Sequence, residues 1–258
     1  MKVVILAGGL PSTLMEEDEK IPKPMAEIGG RPILWHIMKQ YSHYGYKEFV
    51  ICTGYKGEMI KDYFTNFYIY QSDITVDLQT NHVEIHRKKT EDWNVMVVDT
   101  GLHSSVSERI LRIKDMLQEE TFLVTYGDCV SDINILKMVK QHKNQRRIAT
   151  FAVAYPTGRN KILPIDEKGE IDIFATLDNG KTPWVNACSM VFEPGIFQYL
   201  ADANSLMGEK MLRMLSANDE VSAYCHFGFW TPMETVRDKT LLESMWKTGN
   251  APWRIWET

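Results

Sequence analysis

The sequence predicts an α/β fold: a Rossmann-like, mixed and mostly parallel sheet flanked by helices. Three observations predict it. Val3–Leu6 is a short β-rich apolar run without a charge, the pattern of a strand buried on both faces. It breaks at Ala7-Gly8-Gly9, and Ile33, Leu34, Ile37, Met38 and Tyr41 then recur at helical spacing. A second apolar run, Phe49–Cys52, ends in Gly54-Tyr55-Lys56-Gly57 before another helical segment near Glu58–Phe64. Strand, helix, strand, helix marks a doubly wound sheet, and ligands on such sheets collect beyond the carboxyl ends of the strands.

The elements follow in order. Paired glycines after the first strand let the chain turn sharply and bring main-chain N–H groups close to a ligand. A polar loop leads to Lys23, set between two prolines. Strand, glycine turn and basic side chain together are one way to build a triphosphate cradle, or simply a strand that ends in a tight turn. Neither GxxxxGK[ST] nor GxGxxG is present. Ile28-Gly29-Gly30-Arg31-Pro32 is a turn; Pro32 suits the first turn of the helix and Gly45 its end. Residues 65–90 are less regular. His82, Glu84 and His86 share one face of a strand, as two-histidine, one-carboxylate metal binding or a half-exposed hairpin would require; the hairpin is the simpler reading.

Val95–Val98 is a strand ending in Asp99-Thr100-Gly101, followed by a helix over roughly 106–118. Phe122–Thr125 is a strand running into Tyr126-Gly127-Asp128-Cys129, where an aspartate after glycine is either a turn residue or a ligand for a cation. A helix over Asp132–His142, a buried strand over Arg147–Ala154, mixed helix and turn over Leu200–Leu215, and a strand over Val221–His226 come next. Thr235–Lys247 is a helix with Glu234 before it, where negative charge is favourable. Trp253 and Trp256 read as packing anchors. No linker or repeat divides residues 1–258, so a single domain is expected.

Composition narrows the function. The net charge of −5 has both signs interspersed, unlike the basic face of a nucleic-acid binder. No apolar run reaches the length of a membrane span. The first residues hold one lysine and then a strand, which is not a secretory signal. Cys52, Cys129, Cys188 and Cys225 lack CxxC spacing, as expected of reduced thiols in a cytoplasm.

Longer motifs carry a resemblance. LAGG, PKPM, EIGGRPILWHIMKQY, GYKGEMIKDYF (54–64), WNVMVVDTG (93–101), TYGD (125–128), GFWTPMETVRDK (228–239) and APWRIWE (251–257) occur in order along the whole chain. The sequence resembles the sugar-phosphate nucleotidyltransferases, and within them the cytidylyltransferases that join CTP to glucose 1-phosphate. The resemblance implies a glycosyltransferase-A-like variant of the fold, Mg²⁺ as cofactor, a nucleoside triphosphate (CTP) and a sugar phosphate as substrates, and a homo-oligomer. It implies Leu6, Ala7, Gly8, Gly9, Leu10, Lys23, Ser104, Arg109 and Gly127 as nucleotide-binding, with Lys23 and Asp128 as catalytic residues. Asn186 is implied for the sugar, and Asp128 and Glu234 for the metal.

The departures from the family pattern cluster. The loop after the glycine pair reads GTRL in the family and Pro11-Ser12-Thr13-Leu14 here. Ile21 replaces a lysine before PKPM, and Cys129 a glycine after TYGD. Ser107 and Glu108 replace glycines before Arg109, and Asn160 and Lys161 a phenylalanine–glycine turn. A glutamate–lysine–proline motif, whose lysine grips the sugar phosphate, is replaced at Thr176 and Leu177; Ala187 and Cys188 stand for two glycines, and Glu234 for an aspartate. Phosphoryl transfer asks a protein mainly for positioning and charge neutralisation. One lost charge-stabilising donor costs about 10²–10³ in rate, and a lost arginine on a transferring phosphate about 10³–10⁵, without simple additivity. Three readings stay open: a divergent relative that binds a nucleotide or a partner subunit with the original reaction impaired or lost; an active cytidylyltransferase with a different phosphorylated acceptor, with Lys161 or Lys181 as replacement cation; or, last, a scaffold with no ligand at all. Pro11 removes an N–H and sets φ. Under the first reading, Pro11→Gly with Thr13→Arg improves CTP affinity, measured calorimetrically, more than turnover; restored CDP-glucose synthesis from that double change alone would overturn it.

Overall fold

The computed structural model describes residues 1–10, 21–87, 90–155, 162–163, 184–200 and 209–256. The expectations for Pro11–Leu14, Asn160, Lys161, Thr176, Leu177 and Lys181 lie outside the described residues. The main sheet has seven long strands, numbered along the chain: β1 (Val3–Ala7), β2 (Glu48–Thr53), β3 (Asn94–Asp99), β4 (Phe122–Tyr126), β5 (Ala149–Ala154), β6 (Trp184–Phe192) and β7 (Val221–Cys225). Their order is β7-β5-β6-β4-β1-β2-β3, with the short strand Ile162–Leu163 pairing beside β6. The β1/β2, β1/β4, β2/β3 and β5/β7 pairs are parallel, while β6 is antiparallel to both its neighbours. The mixed, mostly parallel α/β sheet read from the sequence is therefore the fold.

The apolar runs explain the layers. Side chains alternate across a strand, so Val3, Ile5 and Ala7 enter one core while Val4 and Leu6 enter the other. Phe49 and Ile51 join the first core; Val50 and Cys52 join the second. The helix Ile33–His43 seals the first face with Ile33, Leu34, Ile37, Met38 and Tyr41. Ile110 and the helix Glu209–Ala217, through Met211, Leu212 and Leu215, close the second. A continuous apolar strand needs cover on both sides, and this arrangement supplies it.

Some boundaries differ from the sequence reading. The helix expected over 106–118 runs only Val106–Arg112, followed by a short 3-10 turn at Lys114–Met116. The helix expected from Asp132 starts at Ile135, because Asn134 caps it: its Oδ1 accepts the Lys137 N–H at 2.9 Å. Asp73–Asp77 and His82–Arg87 form the expected hairpin as a separate two-stranded ribbon. In it, His86 Nε2 meets Thr75 Oγ1 at 2.7 Å, across the strands.

The C-terminal tryptophans lock the first helix. Trp253 is fully buried and stacks on Phe229 and Trp246 at ring separations of 5.7 and 6.5 Å. Its indole N–H donates to His36 Nδ1 (3.4 Å), while His36 Nε2–H donates to the Ile28 carbonyl (2.8 Å). That pattern demands the neutral imidazole, protonated on Nε2. Burial pushes the His36 pKa down from its ordinary 6.5 to about 4. The unfolded chain therefore takes up the proton first. The His36 contribution is complete above pH 6.5 and is lost as pH falls from 6.5 towards 4, at up to about 1.4 kcal/mol per pH unit. His36→Gln keeps a donor and an acceptor but no titration. The fall in urea midpoint between pH 7 and 5 is expected to be smaller in His36→Gln than in the parent; equal falls would show that this histidine does not titrate on unfolding.

Candidate functional site

The strand order reverses between β1 and β4: β2 and β3 build outward on one side of β1, whereas β4 lies on the other. At such a reversal the loops leaving the two strands part, and a crevice opens at their carboxyl ends. A cavity of about 480 Å³ lies there. Its floor is the end of β1, Leu6-Ala7-Gly8-Gly9-Leu10, and Tyr126 and Asp128 beyond β4 form one wall. Lys23 and Pro24 cover it from one side, and the loop Leu102–Val106, with Arg109, from the other.

Local sequence sets each wall. Lys23 begins a 3-10 turn, in which Met25 N–H donates to the Pro22 carbonyl (2.8 Å) and Ala26 N–H to the Lys23 carbonyl (3.0 Å). Gly127 joins this turn to β1. Its N–H donates to the Leu6 carbonyl (3.0 Å), and a Cβ there would stand 3.0 Å from Pro24 Cγ. On the far side Ser105 caps the helix Val106–Arg112. Ser105 Oγ accepts the Glu108 N–H (3.2 Å), and Glu108 accepts the Ser105 N–H (2.6 Å). This reciprocal cap gives Glu108 a structural role where the family has glycine. The Ser104 hydroxyl donates to the Thr100 carbonyl.

Two carboxylates meet beside the cavity. Lys23 Nζ lies 3.7 Å from Asp128 Oδ2, and both side chains stay partly exposed. The Met233 N–H donates to the Asp128 carbonyl (2.7 Å), which holds the next residue, Glu234, close to Asp128. Burial, followed by repulsion from Glu234, lifts the Asp128 carboxyl above its ordinary range, and the Lys23 charge opposes the shift. Mutually repelling carboxylates beside such a cavity suit a hard divalent cation, since Mg²⁺ takes one or two carboxylates and completes its shell with water and substrate oxygens. Asp128 and Glu234 fit that donor set and would hold the ion. No cluster of three His, Cys, Asp or Glu makes a closed protein cage among the described residues.

Arg109 is held differently. It is 4% exposed, and its two terminal nitrogens face five oxygens. Nη1 reaches the Thr53 carbonyl (3.0 Å), Thr100 Oγ1 (2.8 Å) and the Gly101 carbonyl (2.8 Å). Nη2 reaches the Gly8 carbonyl (2.7 Å) and, weakly, the Leu102 carbonyl (3.4 Å). Burial lowers its pKa from the usual arginine value, yet a guanidinium keeps its proton in proteins.

Of the residues singled out in the sequence, Leu6–Leu10, Lys23, Ser104, Arg109 and Asp128 line the cavity together. Gly127, Asn186 and Glu234 do not line it. Asn186 Oδ1 instead accepts the Cys188 N–H (2.9 Å) within its own strand. Sequence reasoning did not single out Leu102, His103, Ser105 or Val106 for the cavity. Their position after Asp99-Thr100-Gly101, at a predicted strand end, was the available signal. Two neighbouring glycines make a sharp contrast. A methyl on Gly8 would run into the Arg109 guanidinium and come within 2.9 Å of the Gly54 nitrogen, whereas one on Gly9 meets nothing within 4 Å. Urea unfolding is expected to show Gly8→Ala destabilised by about 1–3 kcal/mol and Gly9→Ala changed by less than about 0.5 kcal/mol; equal effects would refute the packing argument.

Comparison with known proteins agrees with this geometry. The family profile described as Nucleotidyl transferase matches residues 2–247. Glucose-1-phosphate cytidylyltransferase of Salmonella typhi is 43% identical over 258 residues, covering all of both chains. Among solved structures, a UDP-glucose pyrophosphorylase complexed with UDP-glucose aligns with a TM-score of 0.74 at 14% identity, over 96% of this chain and 98% of the other. The inositol-1-phosphate CTP transferase from T. maritima aligns with a TM-score of 0.71 at 11% identity, over 100% and 98%. A profile match over almost the whole length, a full-length relative and a cavity at the β1/β4 reversal lead to one conclusion: the chain belongs to the nucleotidyl transferase family, as a relative of glucose-1-phosphate cytidylyltransferase.

Proposed function

We propose that this chain is a divergent relative of glucose-1-phosphate cytidylyltransferase that retains a pocket for CTP and has lost most of the reaction CTP + glucose 1-phosphate → CDP-glucose + pyrophosphate. The Leu6–Leu10 main chain cradles the triphosphate, Lys23 neutralises phosphate charge, and Ser104 and Gly127 shape the nucleotide side. Asp128 and Glu234 would hold Mg²⁺, which would supply neutralisation of phosphate charge. A homo-oligomer in the cytoplasm is part of the same proposal.

One observation carries it. Among the described residues, the permanently basic side chains lining the cavity, Lys23 and Arg109, already have partners: Lys23 pairs with Asp128, and Arg109 is surrounded by five oxygens of its own chain. Lys23, 3.7 Å from Asp128 and partly exposed, can turn from the carboxylate to a phosphate. Arg109 cannot leave without stripping the Gly8 and Gly101 carbonyls of their donor. With the family's loop arginine and acceptor lysine replaced at Thr13 and Leu177, charge building on the leaving pyrophosphate meets Mg²⁺ and one lysine. That suffices for binding and falls short of fast transfer.

A second reading, an altered acceptor, rests on β6. The pairing of β5 with β6 shifts register between Phe151/Val153, opposite Asn186–Met190. Within that bulge Cys188 has a φ of 64°, and Asn186 is turned onto the Cys188 N–H. Bulges re-aim side chains next to sites, and this one lies where the sugar-contacting asparagine is expected.

The experiment combines thermal shift and pyrophosphate release. CTP with Mg²⁺ is expected to raise Tm, because a ligand of the folded state stabilises it, and Asp128→Asn to abolish the Mg²⁺ dependence of that shift. Turnover with glucose 1-phosphate is expected to stay below about 0.01 s⁻¹, some 10³-fold under a median enzyme. Release at about 1–10 s⁻¹ with glucose 1-phosphate would overturn the proposal, and release at that rate only with another sugar phosphate would replace it with the second reading.

A further inference from the structure

Three loops leave the carboxyl ends of β1, β2 and β3, and Arg109 touches all three. Its Nη2 takes the Gly8 carbonyl beyond β1. Nη1 takes the last carbonyl of β2, at Thr53, and the Thr100 hydroxyl and Gly101 carbonyl beyond β3. The Thr53 carbonyl also accepts from the Thr100 N–H (3.0 Å) and the Thr100 hydroxyl (2.7 Å), so the arginine caps a chain of bonds already linking β2 to β3. The packing is too close for side chains. A Cβ on Gly54 would lie 2.7 Å from the Gly8 carbonyl and 2.8 Å from both the Gly101 carbonyl and Arg109 Nη1. Gly101 itself has a φ of 90°, which favours glycine.

We propose that Arg109 is a positioning residue: by holding the carbonyls of Gly8, Thr53 and Gly101 on one guanidinium, it sets the shape of the nucleotide cradle and does not itself grip a phosphate. Turning the Gly8 carbonyl into the protein commits that peptide to one orientation and leaves the Gly8–Leu10 main chain facing the cavity. The Gly101 carbonyl, held by the same group, places the Leu102–Val106 loop on the opposite wall. The width of the cavity is thereby tied to one planar fork. Lysine cannot reproduce it, since an ammonium is a point charge with three tetrahedral donors. A direct phosphate contact, by contrast, tolerates lysine well.

This inference deepens the nucleotide reading and rests on it for the binding arm of its test. Arg109→Lys, Arg109→Gln and Thr100→Val are compared with the parent. Thr100→Val removes one arm of the knot, keeps the shape and leaves the arginine charge in place. Hydrogen exchange is measured without nucleotide. Peptides covering 6–10 and 101–105 are expected to exchange about tenfold faster in Arg109→Lys and Arg109→Gln, and less so in Thr100→Val, with the centres of β1 and β2 unchanged. By calorimetry, the CTP Kd with Mg²⁺ is expected to rise about tenfold in Arg109→Lys, close to the loss in Arg109→Gln, and by a smaller factor in Thr100→Val. The proposal is overturned by wild-type exchange in these loops, by a uniform rise in exchange across the sheet, by Arg109→Lys binding CTP as the parent does, or by Thr100→Val changing neither readout. If the parent binds no CTP, the nucleotide reading falls, and the exchange measurement alone upholds or overturns the positioning role.

Discussion

A guanidinium buried to 4% exposure and hydrogen-bonded to main-chain carbonyls and one hydroxyl ties together the carboxyl ends of three strands. Burying a charge is costly unless hydrogen bonds replace its water. Arg109 meets that requirement only because three strand ends bring main-chain oxygens to it at once. The dependence runs both ways: the carbonyls of Gly8 and Gly101 point away from solvent only because a donor fork waits for them. Remove either side and the other is left unsatisfied. The glycines at 8 and 54 follow from the same constraint, since a Cβ at either would occupy space that the knot already fills, while Gly101 is fixed by its positive φ and by Ser104 and Arg112 beside it.

The sheet explains why the knot lies beside a cavity. Reversal of strand order between β1 and β4 opens a crevice at their carboxyl ends, on the β4 side of β1; Arg109 ties together the strands on the β2 side. One flank of the site is thus rigidly braced. The other carries Lys23, Asp128 and, through the Met233–Asp128 backbone bond, Glu234. Brace and charge centre share the β1 loop, so displacement of Gly8 would be felt at both.

The chemistry divides along the same line. The main chain of Leu6–Leu10 and the Asp128 carboxylate both face the cavity. Rapid phosphoryl transfer asks in addition for positive charge on the departing phosphates, and among the described residues the permanently basic side chains in the cavity wall are Lys23 and the immobilised Arg109. Binding of a nucleotide draws on the fold, whereas rate draws on a few side chains.

Much of this was legible in the linear chain. Val3–Leu6 and Phe49–Cys52, uninterrupted apolar runs, can only be strands buried on both faces, and the helical spacing of Ile33, Leu34, Ile37, Met38 and Tyr41 supplies the cover; periodicity of this kind is a local property. Gly8, Gly9 and Asp128 were legible from the ends of predicted strands, Lys23 from its place after the glycine turn, and Ser104 from the family resemblance; the structure places all five on one cavity. Helix ends were less legible, because Asn134 and the 3-10 turn at Lys114–Met116 decide them through single hydrogen bonds. What no local pattern contains is the direction of a side chain that crosses the fold. Arg109 lies 101 positions from Gly8 and 56 from Thr53, and whether its fork turns to the ligand or to the protein depends on which carbonyls those distant strand ends present. Sequence alone determined the layers and the location of the pocket, because burial and turn chemistry act on neighbours in the chain; only the tertiary structure decided which positive charge is spent on the scaffold, because that choice is made among groups brought together by folding.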